Sequence, residues 1–283
     1  MKNKGFFSQD FIVQVVGLVF SIVFVYSIYS NYIWPKAQNI EITTRLQASQ
    51  NPEAPIETNR SIAVILKNHE QMFCLMLMLW ACIIIGYKFF RVHGEQSMQG
   101  YQFLNISRGE RIIPEEALIH HKDVEGQMRR NGRLRNKILP DVILAALHRF
   151  DSTQSIQDAS HAVQERTAMA YEQLESDLSL VRYIAWAIPS VGFIGTVRGI
   201  GEALSHADKA IKLGDISDVT ASLGLAFNST LIALVLSIVL MFFVHLLQSK
   251  QEHLLIDLED FATKKVVGMM KKPESEESKI SFT

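Results

Sequence analysis

With 283 residues, 48% of them hydrophobic and 20% charged, the chain is long enough for one large or two small soluble domains. Its apolar residues are instead gathered into four runs almost free of charge, each about as long as a bilayer is thick, which argues against a soluble globular enzyme. A net charge of −1 supplies no general field for nucleic acid, and the two cysteines, Cys74 and Cys82, share one apolar run without the partners of a disulfide framework or a zinc site.

The first run, residues 11–34, is too long for the apolar part of a cleavable signal and has no small-residue cleavage site after it, so it reads as a retained membrane helix. Tyr29, Tyr32 and Trp34 near its end fit an interfacial aromatic belt. The second run, residues 72–90, has Lys88 and Arg91 at one edge. A polar connector follows. Pro114, Glu115 and Glu116 suit a helix start, with proline at the first position and acids in the first turn. Residues 139–150 form a short apolar stretch. From Ser155 onward, Ile156, Ser160, Val163, Thr167, Ala170, Leu174, Leu178 and Val181 recur at steps of three and four, predicting one unbroken helix that runs into the third apolar run, residues 181–204. That run is the richest in glycine. The fourth, residues 219–247, continues as a helical stripe through Leu254, Leu258 and Phe261.

The predicted architecture is all-α, with four transmembrane helices, the last two extending into the cytoplasm as long helices. Its parts are a transmembrane pair with a periplasmic connector (residues 1–92), a cytoplasmic helical connector (93–179), a channel-forming helix pair with its cytoplasmic extension (180–268) and a disordered tail (269–283). Lys and Arg concentrate in the middle connector and beyond residue 249, whereas residues 35–71 hold only Lys36, Arg45, Arg60 and Lys67. This bias puts both termini in the cytoplasm.

In the third run Ala185, Pro189, Gly192, Thr196, Gly199 and Ala203 follow steps of 4, 3, 4, 3 and 4, which is one helix face. The fourth has a matching small face: Ser222, Ala226, Ser229 or Thr230, Ala233 and Ser237. Small faces let helices approach closely. Thr196 lies about 12 Å from the outer end of its helix and Thr230 roughly 16 Å from the outer start of the next, so the hydroxyls stand at similar depth. Such a pair can bind a carboxylic acid, a water or a small cation, or simply join two helices. No Asp or Glu falls in the middle of any run, so a carboxylate for proton passage has to come from elsewhere, naturally from a partner helix, with Glu202 near the edge of the third run as the one in-chain rival. Pro189 frees a backbone carbonyl. Arg198 and Glu202 are four apart and can pair, either as a gate or partner contact or as a snorkelling pair at the interface.

The stretch from Ile188 to Ile200 (IPSVGFIGTVRGI) resembles the P-x-x-G-x-x-G-T-V-x-G signature of the MotA/TolQ/ExbB proton channel family, and Ala226 to Leu231 (AFNSTL) is similar to its threonine-bearing last helix. The resemblance covers residues 174–267. It implies a homo-oligomer, a pentamer, around two copies of an ExbD/TolR/MotB-like single-span subunit carrying an essential Asp, in the bacterial inner membrane with its lipid. It implies transport of H⁺ or Na⁺ without a cofactor, and an ion pathway through Thr196, Thr230, Ser229 and Asn228. Pro189, Gly192, Gly195, Gly199, Ala226 and Ala233 are then the packing positions around the partner. Four segments resemble the MotA layout while the signature resembles ExbB and TolQ.

Other features carry less. The cluster Arg129, Arg130, Arg133, Arg135 and Lys137 reads as a solvated face or a contact to lipid or protein; interleaved acids and the lack of an aromatic platform argue against nucleic acid. His120 and His121 lack further ligands for a metal, and no catalytic motif is present.

Overall fold

The computed structural model describes residues 9–50, 62–101, 103–104, 111–132, 134 and 136–271. Arg60, Arg108, Arg133, Arg135 and the tail 272–283 lie outside the described residues. The described chain is helical, with a single isolated parallel bridge between Ile112 and Met270. The helices are α1 (Gln9–Ile28), α2 (Trp34–Gln50), α3 (Ile62–Ile65), α4 (His69–Gln96), α5 (Pro114–Arg130), α6 (Ile138–Thr153), α7 (Ile156–Ser176), α8 (Ser179–Leu213) and α9 (Ser217–Lys265). Four helical runs are long and apolar enough to cross a membrane. The chain divides into two compact units, one of residues 1–87 and 179–245, the other of residues 88–178 and 246–283.

In the first unit α1 does not stop at the aromatic cluster, as the apolar run predicts. A π-helical turn at Tyr29–Ile33 joins it to α2, and the N–H of Trp34 donates to the carbonyl of Tyr29. Pro35 explains the turn: it has no N–H for the carbonyl of Asn31, and its ring needs that carbonyl out of the way. Tyr29 and Val25 pack on Met72 and Met76 of α4. Further along, Gly17 lets Trp80 and Ile83 of α4 come close, since a Cβ there would stand 3.1 Å from Ile83 Cγ2. Trp80 Nε1 donates to the carbonyl of Gln14 at 2.8 Å, and Tyr87 donates to Asp10 at 3.1 Å. A run that looks merely greasy in sequence is therefore pinned to α4 at both ends and in the middle.

The start of α4 is capped by its own third residue. Asn68 precedes the helix, and Gln71 Oε1 accepts the Asn68 backbone N–H at 3.2 Å. Helix α8 runs nine residues past residue 204, the predicted end, and stops at Gly214, whose positive φ of 70° and N–H bond to the Ala210 carbonyl make a glycine C-cap.

The second unit is a helical bundle. Leu139, Val142, Ile143, Ala146, Leu147 and Phe150 of α6 are fully buried, as are Val163 of α7 and Leu254 and Leu258 of α9. Pro114 opens α5 with Glu115 and Glu116 behind it, as the sequence predicts. Ser155 caps α7, accepting the N–H of Asp158 at 3.3 Å. The expected unbroken helix through residue 178 is a correction: α7 ends at Ser176. Asp177 is drawn to Lys88 at 3.2 Å and Arg91 at 3.8 Å, and the N–H of Leu178 takes the nearer Glu175 carbonyl. Lys88 therefore does more than mark a membrane edge, for its side chain is buried in this pair. Glu95, also buried, accepts the Ile138 N–H at 3.0 Å and faces Lys137 at 3.4 Å. At the C-terminal end Ile112 accepts the N–H of Lys271 at 2.9 Å and donates to Met269 at 2.8 Å, so residues 269–271 are bonded to the bundle rather than part of a loose tail.

Candidate functional site

The candidate site lies within the first unit, where α8 and α9 meet small face to small face. An added Cβ on Gly192 would collide with Ala233 Cβ and come within 3.3 Å of Thr230 Cα. On Gly199 it would stand 2.6 Å from Ala226 Cβ, and on Gly195 2.9 Å from Ser229 Cβ. Only glycine permits this separation. The backbones are close enough for side chains of one helix to hydrogen-bond main-chain carbonyls of the other.

Three hydroxyls do so. Thr196 donates to the carbonyl of Ala226 at 3.2 Å, with the Gly192 carbonyl of its own helix as a longer alternative at 3.4 Å. Thr230 donates to the carbonyl of Gly192 at 3.1 Å. The two threonine hydroxyls touch one another. Each hydroxyl has one hydrogen and two lone pairs. With both hydrogens on the facing carbonyls, the oxygens present only lone pairs to each other, which suits a cation or a donated proton. With one hydrogen between them, they form a plain helix-to-helix bond. Both side chains are half-buried, so the pair is reachable from one side.

The third hydroxyl answers a backbone defect. Pro189 has no N–H, which orphans the carbonyl of Ala185 four residues earlier. Ser237 of α9 donates to that carbonyl at 2.9 Å. The proline is thus tolerated because the partner helix repairs it. On the same helix, Cys74 of α4 contacts the Ile188 carbonyl at 3.6 Å.

Of the residues singled out in the sequence, Thr196, Thr230, Pro189, Gly192, Gly195, Gly199, Ala226, Ala233 and Ser229 meet at this seam. Ser229 is buried and hydrogen-bonds the Leu225 carbonyl of its own helix at 3.1 Å. No hydrogen bond of the seam runs to Asn228, which stands half-buried on another side of α9. The expected Arg198–Glu202 pair gives way to a different one: Arg198 Nη2 lies 3.0 Å from Oε2 of Glu70, in the first turn of α4. Glu202 is exposed and lines a cavity of about 260 Å³ together with Lys67, Asn68, Gly195, Arg198 and Gly199. Gln71, fully buried, reaches Ser229 Oγ with its amide nitrogen at 3.5 Å.

Glu70 and Gln71 are the residues that reading the four runs in isolation misses. The signal was present: Asn68-x-x-Gln71 ahead of an apolar run is a helix-start pattern, and it fixes which side chains stand at the mouth of α4. Among the described residues no group of three or more His, Cys, Asp or Glu is arranged to hold a metal. The ring of His121 lies 6.0 Å from that of His148.

The family model described as the MotA/TolQ/ExbB proton channel family matches residues 134–260. No curated protein and no solved structure matches the chain. The matched stretch carries both sides of the threonine seam, and over it the chain is similar to the MotA/TolQ/ExbB proton channel family.

Proposed function

We propose that the protein is the channel-forming subunit of an ion-driven motor in a bacterial inner membrane, with both termini in the cytoplasm. Several copies, five by resemblance to the family, surround two single-span partner subunits of the ExbD/TolR/MotB kind. An Asp on each partner helix takes up H⁺ or Na⁺ and releases it past Thr196 and Thr230. Changing that charge changes which subunit face the acid prefers, and the two parts turn against each other. About 2.3 kcal/mol per charge per 100 mV is available for work on a cell-envelope partner.

The observation that carries this reading is the contact between the Thr196 and Thr230 hydroxyls, inside a seam whose carbonyls accept from both. Among the described residues no carboxylate stands in that contact. A mobile acid from another chain is the complement such a pair lacks.

The test replaces Thr196 and Thr230 with Val, singly and together, in the full assembly in liposomes. Ion flux and subunit assembly are measured separately. Lost flux with intact assembly supports the channel. A second reading, a non-conducting membrane scaffold, is favoured by the fact that both hydroxyls already have main-chain acceptors and need no ligand. Under that reading the valine variants weaken assembly and leave flux alone.

A further inference from the structure

We propose that Glu70 is an acid of the ion path supplied by this chain itself, placed to cancel the field of Arg198 at the Gly199 end of the threonine seam. The proposal rests on the conducting role argued above and adds a residue to it. Arg198 follows Thr196 by two positions on α8 and lines the 260 Å³ cavity whose wall includes Ala226, the residue that accepts the Thr196 hydrogen bond. A cation reaching the hydroxyls from this cavity passes through the field of the guanidinium. A carboxylate beside the guanidinium offsets that field where it stands.

Glu70 supplies the balance. Its carboxylate is 3.0 Å from Arg198, and its side chain is 12% exposed against 53% for the arginine. Three features hold it there. It occupies the first turn of α4, where the helix dipole favours an acid. Its neighbour Gln71 is fixed at both ends, by the Asn68 N–H at 3.2 Å and by Ser229 Oγ at 3.5 Å. Gly195, next to Thr196 in sequence, leaves room for the glutamate stem: a Cβ there would stand 3.3 Å from Glu70 Cγ. Among the described residues lining the cavity, the remaining charged groups are Lys67 and Glu202. A half-exposed ion pair contributes little to stability. Its value here is electrostatic neutrality beside the seam, where one unbalanced charge changes the passage of a cation by roughly tenfold.

The experiment uses the full-length assembly, purified with whatever single-span subunit accompanies it from its native membrane and placed in liposomes with trapped pH- and Na⁺-sensitive dyes. Glu70→Gln is expected to lower flux about tenfold with assembly unchanged, and the double variant E70Q/R198Q to recover to within about twofold of the parent. Glu70→Asp, which keeps the charge, retains flux. A purely structural pair behaves differently: removing one half then weakens assembly rather than flux through an intact assembly. Full flux in E70Q, a double variant as poor as E70Q, or failure of E70Q to assemble each overturns the proposal. Thr196→Val is measured in parallel. If it keeps full flux, the conducting role itself fails; if it loses flux while E70Q does not, only the role of Glu70 fails.

Discussion

The repair of Pro189 by Ser237 can be tested as a thermodynamic cycle. In the parent, the Ala185 carbonyl has no N–H donor from its own helix and takes the Ser237 hydroxyl at 2.9 Å; Ala185 is buried, so water does not replace it. Ser237→Ala leaves the carbonyl unsatisfied. An unpaired buried polar group costs about 1–3 kcal/mol, and helix-to-helix hydrogen bonds in membranes measure about 0.6 and at most about 1.7 kcal/mol, so a loss of about 1–1.5 kcal/mol is expected. In a Pro189→Ala background the helix supplies its own N–H at position 189, and Ser237→Ala then costs only a few tenths of a kcal/mol. The coupling between the two sites is therefore about 1 kcal/mol, and the cycle cancels whatever Pro189→Ala does alone through backbone bending. The assay is reversible unfolding of the full chain in mixed detergent micelles. If Ser237→Ala costs the same in both backgrounds, the serine is not mending the proline, and the account of how α8 tolerates Pro189 is wrong.

Two further outcomes concern stability, beside the flux tests on Thr196, Thr230 and Glu70. Gly192→Ala forces a methyl against Ala233 and the Thr230 backbone and is expected to cost about 1–3 kcal/mol, partly recovered by Ala233→Gly; Gly86→Ala, with open space around it, is expected to be neutral or slightly stabilising in the same melt. Lys88→Gln removes a buried partner of Asp177 at 3.2 Å and is expected to lower stability by about 2 kcal/mol, whereas Arg91→Gln, more exposed and at 3.8 Å, costs about 0.5 kcal/mol or less.

The sequence is most informative where one physical constraint dominates. Length and hydropathy fix four spans because hydrocarbon demands them. The alternation of small residues from Ala185 to Ala203 identifies the packing face, and with it the meeting of Thr196 and Thr230, because only glycine and alanine allow that approach. Legibility falls where several weak preferences compete. Nothing in a periodic stripe marks the end of α7, since the Asp177 side chain at that end pairs with two cations carried by a helix far away in sequence. Arg198 has a tempting partner one turn on, yet it takes Glu70, 128 positions distant, and no local rule weighs those two acids. The end of α8 was hidden because the hydrophobic run stops at Leu204 while helical hydrogen bonding continues to Leu213.

The wide turn at Tyr29–Ile33 has an effect on phase. Along an ordinary α-helix, side chains five positions apart diverge by about 140°. Closing the ring one residue later narrows that divergence, and Tyr29 and Trp34 come to stack edge to face, with centroids 6.0 Å apart. Trp34 then reaches the Lys67 carbonyl with its indole nitrogen and rests beside the ring of His69. Without the surplus residue the tryptophan would swing off this side of the helix, and the loop leading into α4 would lose the aromatic shelf on which it sits. One proline thus governs, from its own strand of chain, how the mouth of a neighbouring helix is seated.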